Sequence, residues 1–251
     1  MEFLVGFFIA LAIAMTGVGA GTVTAPTLIL FLNMPLGIAV GTALVFSSVV
    51  KLIAAPVYWY RKQVSWKIFG YLVLGGLPGV IIGSLLLSKT VVHKYEGIVF
   101  AVLGVTVVLA ASRTFFPEGR KSNGRTRDRS KWLPFIAAPI GLEVGFSCAG
   151  AGALGTAALL NLTPLTTAEV VGTDLFFGLV LSIVGGGMHL ALGQFDSATI
   201  LRLVIGGAFG AILGAYAATR VPSKPLRYVL AVWLIFLGGD LFYRGWSNIH
   251  H

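Results

Sequence analysis

Charge is what this sequence has least of. Of its 251 residues, 18 are Lys or Arg and 9 are Asp or Glu, 11% together, where soluble domains carry about 25%. That shortage excludes an ordinary water-soluble globule. No charged residue occurs between Phe3 and Val50, a run more than twice as long as the roughly 20 apolar residues that cross a bilayer. Cysteine is almost absent too. Cys148 stands alone, so an intrachain disulfide and a Cys-cluster metal site are both excluded, and the redox compartment is left undetermined. The chain has no helical H-E-x-x-H, no Walker lysine loop and no Asp-rich phosphate-binding motif, which excludes a self-contained nucleotide-driven pump. The segment Gly145-Phe146-Ser147-Cys148-Ala149 comes near the G-x-S-x-G elbow but ends in Ala. His189 is available to serve Ser147 as base, yet nothing supplies the orienting third group.

What is abundant is apolar surface, 57% of residues, and glycine, 33 of them. The fold class expected is an all-α integral membrane protein. The net charge of +9 does not point to nucleic acid, because the basic residues fall in short loops between apolar runs rather than on a helix face with interleaved aromatics. They are read as topology signals instead. The apolar N-terminal stretch has Glu2 and no Lys or Arg before it, so cleavage as a signal peptide is not expected.

Displaced by 131 positions, the sequence matches itself without gaps. Gly19, Ala20 and Gly21 fall on Gly150, Ala151 and Gly152; Gly41 and Thr42 fall on Gly172 and Thr173; Gln63 falls on Gln194; Gly75, Gly76, Gly79 and Gly83 fall on Gly206, Gly207, Gly210 and Gly214. Two copies of a four-segment unit are therefore expected. Repeat 1 covers 1–116 with segments 3–32, 38–60, 68–88 and 94–113; a basic linker covers 117–131; repeat 2 covers 132–251 with segments 133–162, 169–192, 198–219 and 226–243.

The first segment of each copy is anomalous. Thirty helical residues would be about 45 Å long, half as long again as the hydrocarbon core, and each has small residues at its middle. Either it is a tilted span kinked at glycine, or it is a re-entrant hairpin of two half-helices. With hairpins, each copy crosses three times, the copies are inverted, and 13 basic residues collect on one side against 4 on the other; with eight full crossings the division is 12 to 5. Helix length and charge both favour hairpins. The basic central loop is then cytoplasmic, and the glycine-rich tips meet near the bilayer midplane, where inverted-repeat transporters bind substrate.

Broken backbone at that depth must line a cavity or be buried in protein. Helix N-termini just after each tip present free N–H groups and a positive dipole end, which suit an anion. The candidate substrate-binding residues are Gly17, Gly19, Gly21, Thr22 and Thr24 in the first copy, with Thr42, Ser47 and Lys51 on the segment after it. In the second copy they are Ser147, Cys148, Gly150, Gly152 and Thr173. Ser and Thr hydroxyls at such places also back-bond to their own helix, so each has a local reading beside the functional one. Intramembrane ionisable groups are costly and tend to be functional. Lys51 suits an anion, and Glu143, Asp174 and His189 are assigned to proton coupling or ion pairing, with a Lys51–Glu143 pair as the purely structural alternative. His189 is expected near an interface and solvated. Gly75, Gly79 and Gly83, like Gly206, Gly210 and Gly214, are read as helix-packing positions. Asp240 and Arg244 are read as a local i,i+4 pair.

The tip Gly17-Val18-Gly19-Ala20-Gly21 with Pro26, the run PLGIAVGTAL from Pro35 to Leu44, TPLTTAEVVGTDL from Thr163 to Leu175, and Gly193-Gln194-Phe195-Asp196 together resemble the sulfite exporter TauE/SafE family of bacterial membrane permeases. The likeness spans nearly the whole chain except the loop near 117–131. It departs at Ala20 within the first glycine cluster and at Ala157, which stands where the second copy would match Pro26. The resemblance implies export of small sulfur-containing or organic anions, of the sulfite, sulfonate or sulfoacetate type, coupled to the proton gradient. It also implies a multi-pass protein of the bacterial cytoplasmic (inner) membrane. Expected partners are a small anionic substrate and the lipid bilayer, with no nucleic acid; a homodimer is left open. No cofactor, metal or catalytic residue is expected. An anion channel, and from a different class an intramembrane hydrolase, are the alternatives.

Overall fold

The computed structural model describes residues 2–16, 20–87, 89–112, 129–148, 151–218 and 223–250. They are helical throughout, and among the described residues there is no strand. In chain order the helices are α1 (Glu2–Thr16), α2 (Ala20–Leu32), α3 (Leu36–Tyr60), α4 (Trp66–Leu86), α5 (Lys89–Ser112), α6 (Leu133–Ser147), α7 (Thr156–Leu162), α8 (Thr167–Ala191), α9 (Ser197–Ala218) and α10 (Ser223–His250). A 3-10 turn (Ser130–Trp132) precedes α6 and a π-helical turn (Ala151–Gly155) precedes α7.

Local sequence sets the boundaries. Asn33 in the left-handed region and Pro35 at the cap end the run of α2 and start α3. The hydroxyl of Thr166 and the carboxylate of Glu169 form a capping box at the start of α8. Cys148, at φ 62°, closes α6 with a left-handed residue, and its N–H donates to the Val144 carbonyl. Moving the bounds of α1 and α3 on by 131 residues gives those of α6 and α8, and α4 and α9 begin at matched positions.

The second long first segment is interrupted at Cys148, where α6 ends in a left-handed residue and a π-helical turn follows before α7; in the first, residues 17–19 between α1 and α2 lie outside the described residues. Among the described residues four helices are long and apolar enough to cross a bilayer: α3, α4, α8 and the Ser197–Gly214 part of α9. α5 and α10, at 24 and 28 residues, are long enough but more polar. With large apolar side chains such as Leu74, Ile212 and Phe236 two-thirds exposed, the outer surface suits lipid rather than water. The chain is a multi-pass membrane protein.

The helices pack as α1 on α9, α4 on α6, α5 on α10 and α3 on α8. α3 and α8 form the centre: 56% and 67% of their apolar windows are buried, against 39% for α4 and 33% for α9. Glycine sets the closeness of the outer pairs, as its spacing suggested. A Cβ at Gly75, Gly79 or Gly83 of α4 would run into the backbone of Pro134, Ala138 and Leu142 on α6, and one at Gly206 or Gly210 of α9 into Phe3 and Phe7 of α1. Two fully buried rings plug the space between these pairs and the centre, Phe177 over Gly76 and Phe46 over Gly207. At one end of the bundle Trp59, Trp66, Phe69 and Phe176 stack edge to face, and Trp59 and Trp66 line an open cleft of about 280 Å³ with Lys62 and Val64. Amphipathic rings beside Lys62 suit a membrane–water boundary.

Candidate functional site

The start of α2 meets the end of α6. Gly21, in the first turn of α2, lies so close to Cys148 at the end of α6 that a Cβ on it would collide with the Cys148 carbonyl and come within 2.5 Å of its Sγ. Glycine is required there because only a residue without a side chain lets α2 approach the end of α6 so closely. Thr22 and Thr24, on the same turn of α2, are buried at 2% and 0% exposure, and both are engaged with other groups. Gly17, Gly19 and Gly150 lie outside the described residues. Gly152 falls in the π-helical turn, half-buried. Such turns occur often at functional sites, because the widened ring displaces a backbone group from the regular ladder.

Lys51, in the middle third of α3, reaches across to α8. Its Nζ donates to the Gly178 carbonyl at 3.1 Å and to Ser182 Oγ at 3.0 Å. Ser182 is the residue that corresponds to Lys51 at the offset of 131. Ser47, one turn before Lys51 and fully buried, places its Oγ 3.4 Å from Ser182 Oγ. No ion pair joins Lys51 to Glu143 or Asp174 among the described residues, so the expected structural pair is replaced by neutral oxygens. Lys51 nevertheless acts electrostatically on both Cys148 and Asp174, which sets it beside the meeting point of α2 and α6.

Asp174, two turns into α8, is 8% exposed. Its Oδ2 accepts from Thr156 Oγ1 at 2.8 Å, at the start of α7, while its Oδ1 has no hydrogen-bond partner among the described residues. Gly155 leaves the room for that oxygen, since a Cβ there would overlap it. A buried, half-satisfied carboxylate is expensive. Here it sits against the π-helical turn, within electrostatic reach of the one ammonium of this region.

The other candidates are placed elsewhere or differently. Thr42 Oγ1 accepts the Asp196 N–H at 3.2 Å and Thr173 Oγ1 the Ser65 N–H at 3.0 Å, so both hydroxyls hold the loops before α9 and α4. Ser147 Oγ donates to the Glu143 carbonyl one turn back, at 3.0 Å. The Glu143 side chain is half-buried against Thr106 of α5. His189, expected to be solvated, is 0% exposed. Its Nδ1 faces Gln194 Oε1 at 2.7 Å and its Nε2 the Gly145 carbonyl at 3.1 Å. Both ring nitrogens thus face other partners, and among the described residues no bond joins the imidazole to the Ser147 hydroxyl, the contact a hydrolase would need. Asp240 and Arg244 pair at 3.1 Å as expected.

Residue-type reasoning did not single out Ser182, Gly178, Gly155 or Gln194. The signal for two of them was in the self-match, where Ser182 stands opposite Lys51 and Gln194 opposite Gln63.

A family model described as sulfite exporter TauE/SafE matches residues 2–241. Among curated proteins, "Probable membrane transporter protein YjnA" of Bacillus subtilis (strain 168) is 27% identical over 245 residues, covering 94% of this chain and 96% of the relative. "Probable membrane transporter protein YunE" of the same organism is 25% identical, covering 92% and 93%. A "Probable membrane transporter protein" of Xylella fastidiosa (strain Temecula1 / ATCC 700964) is 28% identical, covering 98% and 94%. No solved structure gives a significant match.

Proposed function

The chain belongs to the sulfite exporter TauE/SafE family, and from that premise we propose that it is a secondary transporter exporting small sulfur-containing or organic anions by alternating access, with the proton gradient as driving force. The names of its relatives are those of membrane transporters rather than enzymes. The observation that carries the reading is the contact of Gly21 with Cys148 beside the Lys51 ammonium. It brings the start of α2, the end of α6, a cation and the hydroxyls of Ser47 and Ser182 to one place. An oxyanion there would take charge-assisted bonds from Lys51 and neutral ones from the serines. Asp174 is the counter-charge within electrostatic reach of Lys51, and its Oδ1, without a partner among the described residues, supports a carboxylate that exchanges partners during the cycle.

The two repeats are inverted about an axis through the Lys51–Ser182 contact, with the paired half-helices re-entrant. Support comes from the matched helix bounds and from the reciprocal pairing of α1 with α9 and α4 with α6. The protein then lies in the bacterial inner membrane, its basic 117–131 linker cytoplasmic, working on a small anion without nucleic acid. The test is a binding screen on purified protein of sulfite, sulfate, thiosulfate, sulfoacetate, taurine and simple carboxylates. Saturable binding of an anion of the sulfite or sulfonate type, competed by its relatives and lost in Lys51→Met, is expected; binding of none of them removes the substrate assignment.

A further inference from the structure

His189 and Gln194 form a chain of hydrogen bonds with a backbone carbonyl at each end. The Leu87 carbonyl accepts from Gln194 Nε2 at 2.9 Å, Gln194 Oε1 faces His189 Nδ1 at 2.7 Å, and His189 Nε2 faces the Gly145 carbonyl at 3.1 Å. A carbonyl can only accept, so Leu87 fixes which end of the Gln194 amide points to it and leaves the amide oxygen turned to the imidazole. The imidazole thus stands between two acceptors. A neutral ring has one N–H and satisfies one of them; only the imidazolium, with two, satisfies both. Both residues are buried, at 0% and 4% exposure, so no solvent water is at hand to replace a lost link.

The surroundings supply negative potential without a carboxylate. Gly145 lies in the last turn of α6, Leu87 caps the end of α4, and His189 is itself in the last turn of α8. Three helix C-termini, each the negative end of a backbone dipole with carbonyls lacking intrahelical partners, converge on the ring. The titratable and charged side chains on the elements packed around it are Lys51, Tyr58 and Tyr60 on α3, Lys67 and Tyr71 on α4, Glu143 and Cys148 on α6, and Asp196 in the loop after α8, with Glu169 and Asp174 on α8 itself. Among the described residues none of them bonds to the ring. Lys51 is held by Gly178 and Ser182, Glu143 lies against Thr106, and Asp196 accepts from the Ala198 N–H and the Thr199 hydroxyl.

We propose that His189 is the site where this transporter binds its coupling proton, with the imidazolium clamped between Gln194 and Gly145 as the loaded state. Loss of the proton must break one of the three links. Either Gln194 turns over and releases Leu87, or a ring lone pair faces the Gly145 carbonyl and repels the end of α6. Gly145 is three residues before Cys148, where the second break meets Gly21, so the proton on His189 fastens α8 to the part of α6 that carries the anion site. The proposal rests on the transporter reading for its meaning but not for its test.

The direct test is nitrogen NMR of the full chain in lipid, labelled with ¹⁵N-histidine in a His93→Gln, His250→Gln, His251→Gln background so that His189 alone reports. The expected spectrum at pH 7.5 shows both ring nitrogens protonated, and Gln194→Met at the same pH shows a ring with a single N–H, because one of its acceptors is gone. A neutral ring in the unsubstituted protein at pH 7.5, or a Gln194→Met ring still doubly protonated, overturns the proposal. The second arm measures lumen pH in proteoliposomes during sulfite flux. Protons move against the anion in the wild type, and in His189→Gln the proton movement per anion falls at least tenfold, whatever anion flux is left. Undiminished proton movement in His189→Gln overturns the proposal. A wild-type protein with a doubly protonated His189 but no flux of any anion would overturn the transporter reading instead.

Discussion

Replacing Lys51 by Met separates a substrate-binding ammonium from a structural one. The Nζ makes two hydrogen bonds, 3.1 Å to the Gly178 carbonyl and 3.0 Å to Ser182 Oγ. Bonds from a charged donor contribute about 1.5–3 kcal/mol each, so about 3–6 kcal/mol together. Against this stands the cost of placing a lysine at mid-membrane depth, about 3 kcal/mol on insertion scales. The substitution removes both terms and strands neither acceptor: the Gly178 carbonyl keeps its place in the α8 ladder, and Ser182 Oγ still has Ser47 Oγ at 3.4 Å. The net change in stability is then within about 3 kcal/mol, a shift of no more than about 12 °C in Tm for a chain of this size. Anion affinity behaves differently, because truncating one partner of a desolvated charged pair costs about 2–5 kcal/mol, a loss of thirtyfold or more. Lys51→Arg keeps part of the binding with altered selectivity, since a planar fork replaces a point charge. Thermal melts and titration calorimetry with sulfite on the same three proteins decide it. Lys51→Met with unchanged affinity removes Lys51 from the site. A Lys51→Met protein that unfolds and is rescued by Asp174→Asn would instead make Lys51 the partner of a structural carboxylate.

Asp174→Asn is expected to tighten anion binding about thirtyfold, because like charges about 8 Å apart at an effective dielectric constant of about 20 repel by about 2 kcal/mol; weaker binding in a folded Asp174→Asn protein would refute the repulsion. Gly21→Ala, whose Cβ meets Cys148, should lower stability by about 1–3 kcal/mol and abolish flux, whereas Gly187→Ala, with nothing within 4 Å, should be neutral or stabilising by up to about 1 kcal/mol; equal melting temperatures for the two would show that α2 and α6 do not touch. Single cysteines introduced on a Cys148→Ala background and probed with an impermeant thiol reagent should label from the cytoplasmic side at 117–131, 61–67 and 220–227, and from outside at 89–94. Labelling of positions 89 and 125 from the same side would restore eight full crossings.

Much of the architecture was written in periodicities that need no tertiary information. The 131-residue self-match pairs the copies by position, and the starts of α1, α3 and α4 recur at α6, α8 and α9. The glycine spacing at Gly75, Gly79 and Gly83 marked a packing face because small residues at i, i+4 and i+8 share one side of a helix. The site was less legible. Composition marked Lys51 as costly, but its partners are a backbone carbonyl and a serine, and neither residue type announces itself as the acceptor for a buried ammonium. His189 was misplaced because its distance along the helix suggested the interface, while its burial is fixed by α4, α6 and the Gln194 loop, which sequence spacing does not reveal. Thr42 and Thr173 looked like anion donors, yet their hydroxyls hold the Asp196 and Ser65 amides, a local arrangement open to any buried threonine.

Counterflow in proteoliposomes tests the central claim most directly. Vesicles containing the purified protein and loaded with unlabelled sulfite should take up labelled sulfite transiently above its equilibrium level, with saturation, acceleration by an imposed pH gradient and loss of all three in Lys51→Met. Conductance without counterflow would make the protein an anion channel, and the absence of flux for every sulfite-type, sulfonate and carboxylate anion would contradict the account.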